Sequence, residues 1–102
     1  MLFAAVKALE GDAPNVRAVV QYKVRDDDGD HWAYLELAGG RAAAGEGRHD
    51  APSFRLEFHL LDLPDLMSGA LSADDALDSG QLRVSGDIGL YAKLAPWLFR
   101  SA

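Results

Sequence analysis

The first half of the chain alternates between apolar and polar residues, which predicts two half-buried β-strands. From Val16 to Val24 every even-numbered residue is apolar, and most odd-numbered residues in this stretch are polar. Period-two alternation is typical of a strand that has one face on a core. The aspartate-rich run 26–30 predicts a hairpin loop, and residues 31–38 predict the returning strand.

A second set of strands is predicted further along the chain. The glycine pair 39–40 indicates a turn, and the small, weakly patterned residues 41–52 suggest a short edge strand and a loop. Residues 53–59 alternate cleanly, so they predict a strand with one buried face. Residues 81–85 predict a brief last strand, which Gly86 interrupts.

Apolar residues at helical spacing begin the chain and return after the strand at 53–59. Residues 1–10 carry apolar side chains at three- and four-residue steps, and Gly11 is expected to end this helix. Residues 63–71 suit a short helix, with Asp62 as its N-cap and Pro64 in its first turn.

The last third of the chain predicts two more helices. Ser72 is expected to cap a short helix that runs through Asp78 and stops at Gly80. Asp87 is expected to cap the final helix, in which Pro96 should kink or loosen the backbone. The apolar stripe of this helix consists of Leu90, Tyr91, Leu94, Trp97 and Leu98. Together the patterns predict one α+β domain over residues 1–102, with an antiparallel sheet packed against helices.

Composition and charge exclude several classes of protein. The chain has 102 residues, which is ordinary for a single domain, and 49% of them are hydrophobic, which argues against disorder. Ten basic and sixteen acidic side chains give a net charge of -6, and the basic residues form no run. This charge opposes binding to nucleic acid, so we expect no nucleic-acid partner. The absence of cysteine excludes disulfides and thiolate metal sites.

Location and chemistry are predicted mainly from missing signals. No apolar run approaches the ~20 residues of a membrane helix, and neither end of the chain resembles a secretory or peroxisomal signal, so we expect a soluble cytoplasmic protein. His31, His49 and His59 lack metal-ligand spacing, and the aspartate run 26–30 lacks the rest of a calcium loop. No nucleophile elbow, phosphate loop or dinucleotide fingerprint is present. The prediction is a non-enzyme without cofactor or metal.

The glycines of the second half are placed in a specific way. Gly69 and Gly80 follow two short predicted helices, and Gly86-Asp87 separates the last strand from the final helix. With these intervals the chain resembles the sterol-carrier-protein type-2 family, closely over residues 54–94 and more loosely over 16–99. It departs from the usual pattern in its shorter N-terminal segment, in Gln81 where lysine is common, and in Leu77 where an aromatic residue is commoner.

The resemblance implies both a fold and a function. It implies a five-stranded, mainly antiparallel sheet covered by helices, with a lipid-sized apolar tunnel between the sheet and the last helix. It implies non-catalytic binding or carriage of a sterol, a fatty acid, an acyl-CoA or a related molecule such as a quinone precursor or polyketide. The residues expected to line the tunnel are Trp32, Phe58, Leu66, Met67, Leu71, Leu90, Leu94, Trp97 and Leu98.

Other interpretations stay open at this point. The apolar stripe of the last helix is core in most proteins of this size, whatever the ligand. The same fold could serve as an accessory or dimerisation protein beside a lipid-, quinone- or polyketide-modifying enzyme, or shield a reactive substrate as an enzyme. Transient contact with a membrane, a homodimer and a partner enzyme all remain compatible with the sequence.

Overall fold

A computed structural model describes residues 2–99, which form six β-strands, four α-helices and one 3₁₀ turn. In chain order the elements are α1 Leu2–Lys7, β1 Gly11–Asp12, β2 Ala18–Asp26, β3 Gly29–Ala38, β4 Arg41–Glu46, β5 Phe54–His59, the 3₁₀ turn Leu60–Asp62, α2 Leu63–Ser68, α3 Ala73–Ser79, β6 Leu82–Gly86 and α4 Ile88–Leu98. The predicted first helix includes Met1, which lies outside the described residues, as do residues 100–102.

All six strands form one sheet in the order β1-β4-β3-β2-β5-β6. Every neighbouring pair is antiparallel except β2 and β5, which run parallel. The α+β fold with a mainly antiparallel sheet is therefore confirmed, with six strands rather than the five expected. The additional strand is β1, and its two residues are too few to show any period in the sequence.

One face of the sheet carries the hydrophobic core. Its side chains come from alternate residues of each strand, as in β2, where Ala18, Val20, Tyr22 and Val24 are all buried. The register places these opposite the buried odd-numbered residues of β3, such as Leu35. All four helices contribute buried side chains to the same core, so the helices cover this one face.

The opposite face of the sheet, here called the open face, is crossed by the loop 47–53. This loop joins β4 to β5, and it passes β3 and β2, which lie between those two strands in the sheet. Gln21, 2% exposed, holds the loop: its amide donates to the carbonyls of Ala33 and Gly47, and its oxygen accepts from the backbone N–H of His49 at 2.7 Å. The His49 ring packs edge-on against Tyr34. A buried, fully bonded amide thus stabilises the crossover.

Helix α2 ends at Ser68, three residues before the predicted end, whereas α3 and α4 begin where the sequence predicts. The Ser72 side chain accepts from the N–H of Asp75 at the start of α3, and Gly80 ends that helix with φ 81°. Asp87 accepts from the N–H of Leu90 at 3.0 Å and so caps α4. The Ser72 and Asp87 side chains are reliable start signals because they bond to backbone N–H groups that the helix itself leaves unpaired.

Four further details differ from the predictions. The first helix ends at Lys7 instead of continuing to Gly11, because the chain tightens into three-residue turns beyond it. The second strand of the hairpin starts at Gly29, two residues early. Asp62 precedes α2 but makes no side-chain cap bond, since the chain is already helical from the 3₁₀ turn onward. Gly86 is the last residue of β6 and not a break outside it.

Candidate functional site

A half-open groove of about 440 Å³ lies between the α2–α3 connection and the last helix. We call it the α4 groove. One wall is formed by Gly69 and by Leu71 through Asp74, and the other is the side of α4 that faces them. The residues that line it are Gly69, Leu71, Ser72, Ala73, Asp74, Tyr91, Ala92, Ala95, Pro96 and Phe99. Its volume lies within the range of small-molecule sites in proteins.

Small residues keep the α4 groove open. Ala92 and Ala95 lie one turn apart on α4 and present only methyl groups to the opposite wall. On that wall the chain leaves α2 through Gly69, whose φ of 84° favours glycine, and the N–H of Leu71 bonds back to the carbonyl of Asp65. The tight connection holds the start of α3 away from α4.

Pro96 lies inside α4, where it has no N–H to donate to the carbonyl of Ala92. The helix nevertheless continues to Leu98, and the N–H of Phe99 bonds to the carbonyl of Ala95. Its C-terminal half therefore depends on one fewer backbone bond than a regular helix. The kink predicted at this position stays a prediction.

Few polar side chains line the α4 groove, and they include one negative charge. Asp74 is the only charged side chain among the described lining residues. Tyr91 is 6% exposed, its ring packs edge-on against Phe54, and its hydroxyl is buried without a hydrogen-bond partner among the described residues. Burial raises the pKa of the Tyr91 hydroxyl, and the carboxylate of Asp74 raises it further.

A second unpartnered hydroxyl lies deeper, under the helices. Tyr22 occupies the middle of the core face, is fully buried and packs edge-on against Phe58. Its hydroxyl has no hydrogen-bond partner among the described residues, and burial raises the pKa of Tyr22 well above its usual range. Nearly all buried polar side-chain atoms in proteins are bonded, so two such hydroxyls facing one core are unusual.

Eight of the nine predicted tunnel residues fall into three groups. Leu71 lines the α4 groove. Phe58, Leu66, Leu94 and Leu98 lie in the core behind it with essentially no exposed surface, so they border no space that water could enter. Met67, Leu90 and Trp97 are half-buried and pack against that core.

Trp32 is the exception, because it lies on the open face. It pairs with Lys23 across the sheet, and its ring is contacted by the cations of Lys23 at 5.5 Å and Arg48 at 4.4 Å. The buried residues of β3 are odd-numbered, so an even-numbered residue points away from the helices. This register removes Trp32 from the candidate set.

The sequence prediction missed most of the groove wall. Tyr91 was placed in the apolar stripe of α4 but not in the site, and Asp74 was left out. The signal for the α4 side was present: residues 91, 92, 95, 96 and 99 share one side of a helix at steps of one, three and four. On the opposite wall the prediction named only Leu71, because the turn between α2 and α3 has no periodic pattern.

A second depression, of about 590 Å³, lies at the sheet edge formed by β4, here called the edge depression. Three of its seven lining residues are charged, namely Glu10, Glu36 and Arg41, against one of ten in the α4 groove. Glu10 also accepts from the N–H of Ala44 and so occupies part of the edge. An apolar ligand is therefore better matched by the α4 groove.

Within residues 2–99, no three histidine, aspartate or glutamate side chains are grouped so as to hold a metal ion. The three histidines interact within the protein: His31 pairs with Asp26 at 2.8 Å, His49 packs on Tyr34, and His59 accepts from a nearby backbone N–H. Over the same residues, no helix has both the length and the apolar character needed to cross a membrane.

Comparison with known proteins relates the chain to one family, both by sequence and by fold. A model of the SCP-2 sterol transfer family matches residues 2–98, which extends the resemblance across the first half of the chain. No curated protein sequence matches the chain significantly.

Solved structures with the same fold include Sterol Carrier Protein 2 Like 2 from Aedes aegypti. Its crystal structure is 26% identical and superposes with a TM-score of 0.75, covering 90% of this chain and 88% of that one. A solution structure of the palmitated protein from the same organism is also 26% identical, with a TM-score of 0.74 and coverage of 97% and 88%. A UbiJ-SCP2 ubiquinone synthesis protein shares the fold at 18% identity, with a TM-score of 0.62 and coverage of 95% and 79%.

Proposed function

The chain belongs to the SCP-2 sterol transfer family, and from this premise we propose that it binds a lipid-like apolar molecule at the α4 groove and carries it without transforming it. Lipid binding and transfer is the activity of the family. The observation that carries the proposal for this chain is the groove itself. It is walled by small and apolar side chains, and the buried apolar residues of the core lie directly behind it.

Burial of a lipid tail supplies the driving force. Each methylene removed from water contributes about 0.8 kcal/mol, so ten buried methylenes contribute about 8 kcal/mol before ordering costs. A bilayer offers the tail nearly the same gain. A carrier therefore needs only comparable affinity, together with a wall that opens.

The wall that opens is α4. Its buried residues Leu94 and Leu98 fill the space between α4 and the sheet, and Pro96 weakens the helix between them. An outward shift of α4 would extend the groove into the core and bring the predicted lining residues against the ligand. Leu66, Leu94 and Leu98 thus remain candidates as walls of the loaded site, with Leu71 at its entrance.

Equilibrium binding of a pyrene-labelled dodecanol tests the proposal with two matched variants. Ala92→Trp places an indole in the α4 groove at an exposed position, and Ala43→Trp places the same side chain in the edge depression. We expect Ala92→Trp to weaken binding at least tenfold and Ala43→Trp to leave it within twofold. The reverse pattern would assign binding to the edge depression, and no change in either variant would rule out the α4 groove.

The two tryptophans provide a second readout. Trp32 lies on the open face and Trp97 on α4, so each single-tryptophan variant reports from one side of the sheet. We expect ligand to change Trp97 emission in the Trp32→Phe variant and to leave Trp32 emission unchanged in the Trp97→Phe variant. A response of Trp32 alone would contradict a site beside α4.

The second candidate function is that of an accessory or dimerisation protein. Two large apolar side chains, Leu61 and Ile88, are 82% and 54% exposed, so they are the first positions to test for an apolar contact with a partner. Sedimentation of the protein at micromolar concentration tests this candidate. A dimer that Leu61→Ser and Ile88→Ser convert to monomer would favour it, and a monomer throughout would count against self-association.

A further inference from the structure

The open face of the sheet carries a cluster of basic side chains, on the side of the sheet away from the α4 groove. We call this cluster the basic strip, and its members are Lys23, Arg25, Arg48, Arg55 and Arg83, arranged around Trp32. We propose that the basic strip docks an extended acidic segment of a partner protein. This surface is separate from the lipid site, because the helices that form the α4 groove cover the opposite face of the sheet.

The register of the sheet brings the basic strip together. Arg83 of β6 pairs with Glu57 of β5, and Glu57 pairs with Lys23 of β2. Lys23 pairs in turn with Trp32 of β3, so one row of side chains crosses four strands. Neighbouring strands lie about 4.8 Å apart, so the two ends of this row are about 14 Å from each other.

The basic strip is positive although the chain as a whole has a net charge of -6. Its basic side chains are accompanied by two carboxylates, Glu57 and Asp30, and both are already paired. The ammonium group of Lys23 lies 3.9 Å from each of them, and the guanidinium group of Arg55 lies 2.7 Å from Glu57. The acidic groups of this region therefore leave positive charge unmatched.

Three guanidinium groups of the basic strip carry that unmatched charge. Arg25, Arg48 and Arg83 are exposed and form no salt bridge with any of the described residues. Arg48 lies over the Trp32 ring at 4.4 Å, which fixes its position on the face. Guanidinium groups bind carboxylates through paired hydrogen bonds, and arginine and tryptophan are enriched where proteins contact each other. Carboxylates of a partner would thus bond to groups that the fold itself leaves free.

The surroundings of the basic strip favour a narrow protein segment over an anionic bilayer. The loop 47–53 borders the strip on one side, through Gln21, and the aspartate-rich turn 26–30 borders it on the other. A flat anionic surface would meet these aspartates, and a bilayer on this face would lie away from the lipid site. An extended segment advances about 3.4 Å per residue, so carboxylates four residues apart match the row from Arg83 to Arg48.

Fluorescence polarisation with a labelled dodecapeptide of alternating glutamate and serine, titrated in low salt, tests the proposal. We expect the wild type to bind this peptide, and we expect Arg48→Glu and Arg83→Glu each to weaken binding about tenfold. Lys93→Glu is the matched control, because it makes the same charge change at an exposed position of α4. We expect it to change the affinity less than twofold.

The outcomes separate a docking surface from a general effect of charge. Equal effects of the three variants, or no binding of the peptide by the wild type, would overturn the proposal. Vesicles that contain phosphatidylserine are the second probe, and binding of these vesicles without binding of the peptide would assign the face to a membrane instead.

Two further readouts locate the contact. In a titration followed by nuclear magnetic resonance, we expect the peptide to shift the indole N–H signal of Trp32 and to leave that of Trp97, on α4, in place. The reverse pattern would contradict docking on the open face. We expect Arg48→Glu to bind pyrene-labelled dodecanol as the wild type does, and a loss there would contradict two separate surfaces.

Discussion

Replacing Tyr22 with phenylalanine should make the protein more stable. The Tyr22 hydroxyl lies in the middle of the core face, fully buried and without a hydrogen-bond partner among the described residues. A hydroxyl buried in this way costs about 1–3 kcal/mol relative to water. Tyr22→Phe removes the cost and retains the ring that packs on Phe58.

The expected gain is smaller than the full cost, because the missing oxygen leaves a small void in the core. We expect the free energy of unfolding to rise by about 1 kcal/mol. For a chain of 102 residues this corresponds to about 4–6 °C in the thermal midpoint. Guanidinium unfolding measures the change, with the denaturant dependence expected to stay constant.

Tyr34→Phe is the matched control. The Tyr34 ring lies on the open face against His49, outside the core. Its loss of a hydroxyl should change the unfolding free energy by less than about 0.5 kcal/mol. A loss of 1 kcal/mol or more in Tyr22→Phe would refute the reasoning, since it would mean that the hydroxyl is bonded in the folded protein. Equal effects in both variants would refute it as well.

Two further predictions concern backbone and charge. Gly86→Ala should lower the unfolding free energy by about 3 kcal/mol, because φ is 104° and a Cβ would lie 2.7 Å from the carbonyl oxygen of Ser53. Gly80 is also at positive φ but has open space around it, so Gly80→Ala should lower the unfolding free energy by only about 1 kcal/mol. Equal losses for the two variants in chemical unfolding would contradict this prediction. The hydrogen bond from His31 holds the pKa of Asp26 below its ordinary value, so its ionised form stabilises the fold above about pH 4 and this contribution is lost as the pH falls further. Asp26→Asn should therefore show a shallower fall of the thermal midpoint between pH 5 and pH 2 than the wild type, and parallel curves would refute the assignment.

The fold was largely predictable because its signals are local. Alternation in β2 and the capping residues Ser72 and Asp87 each specify structure within a few residues. Strand β1 was not predictable, since its two residues form a strand only by pairing with Arg41 and Ala42. The role of Gln21 was likewise invisible, because its partners lie up to 28 residues away along the chain.

The site was predictable only in part. The apolar stripe of α4 indicated which helix matters, but the same pattern describes core residues such as Leu94 and groove residues such as Tyr91. Which of them border open space depends on the turn after Gly69, a tertiary feature. Trp32 was misplaced because an aromatic residue in a strand carries no sign of which face it occupies until the register is known.

The most direct test of lipid carriage is native mass spectrometry of the purified protein after incubation with a mixed pool of sterols, long-chain alcohols and fatty acids, followed by extraction and identification of what is bound. The account predicts one discrete added mass per chain, reduced in Ala92→Trp and retained in Ala43→Trp. A mass that stays that of the bare chain after exposure to the whole pool would contradict lipid carriage.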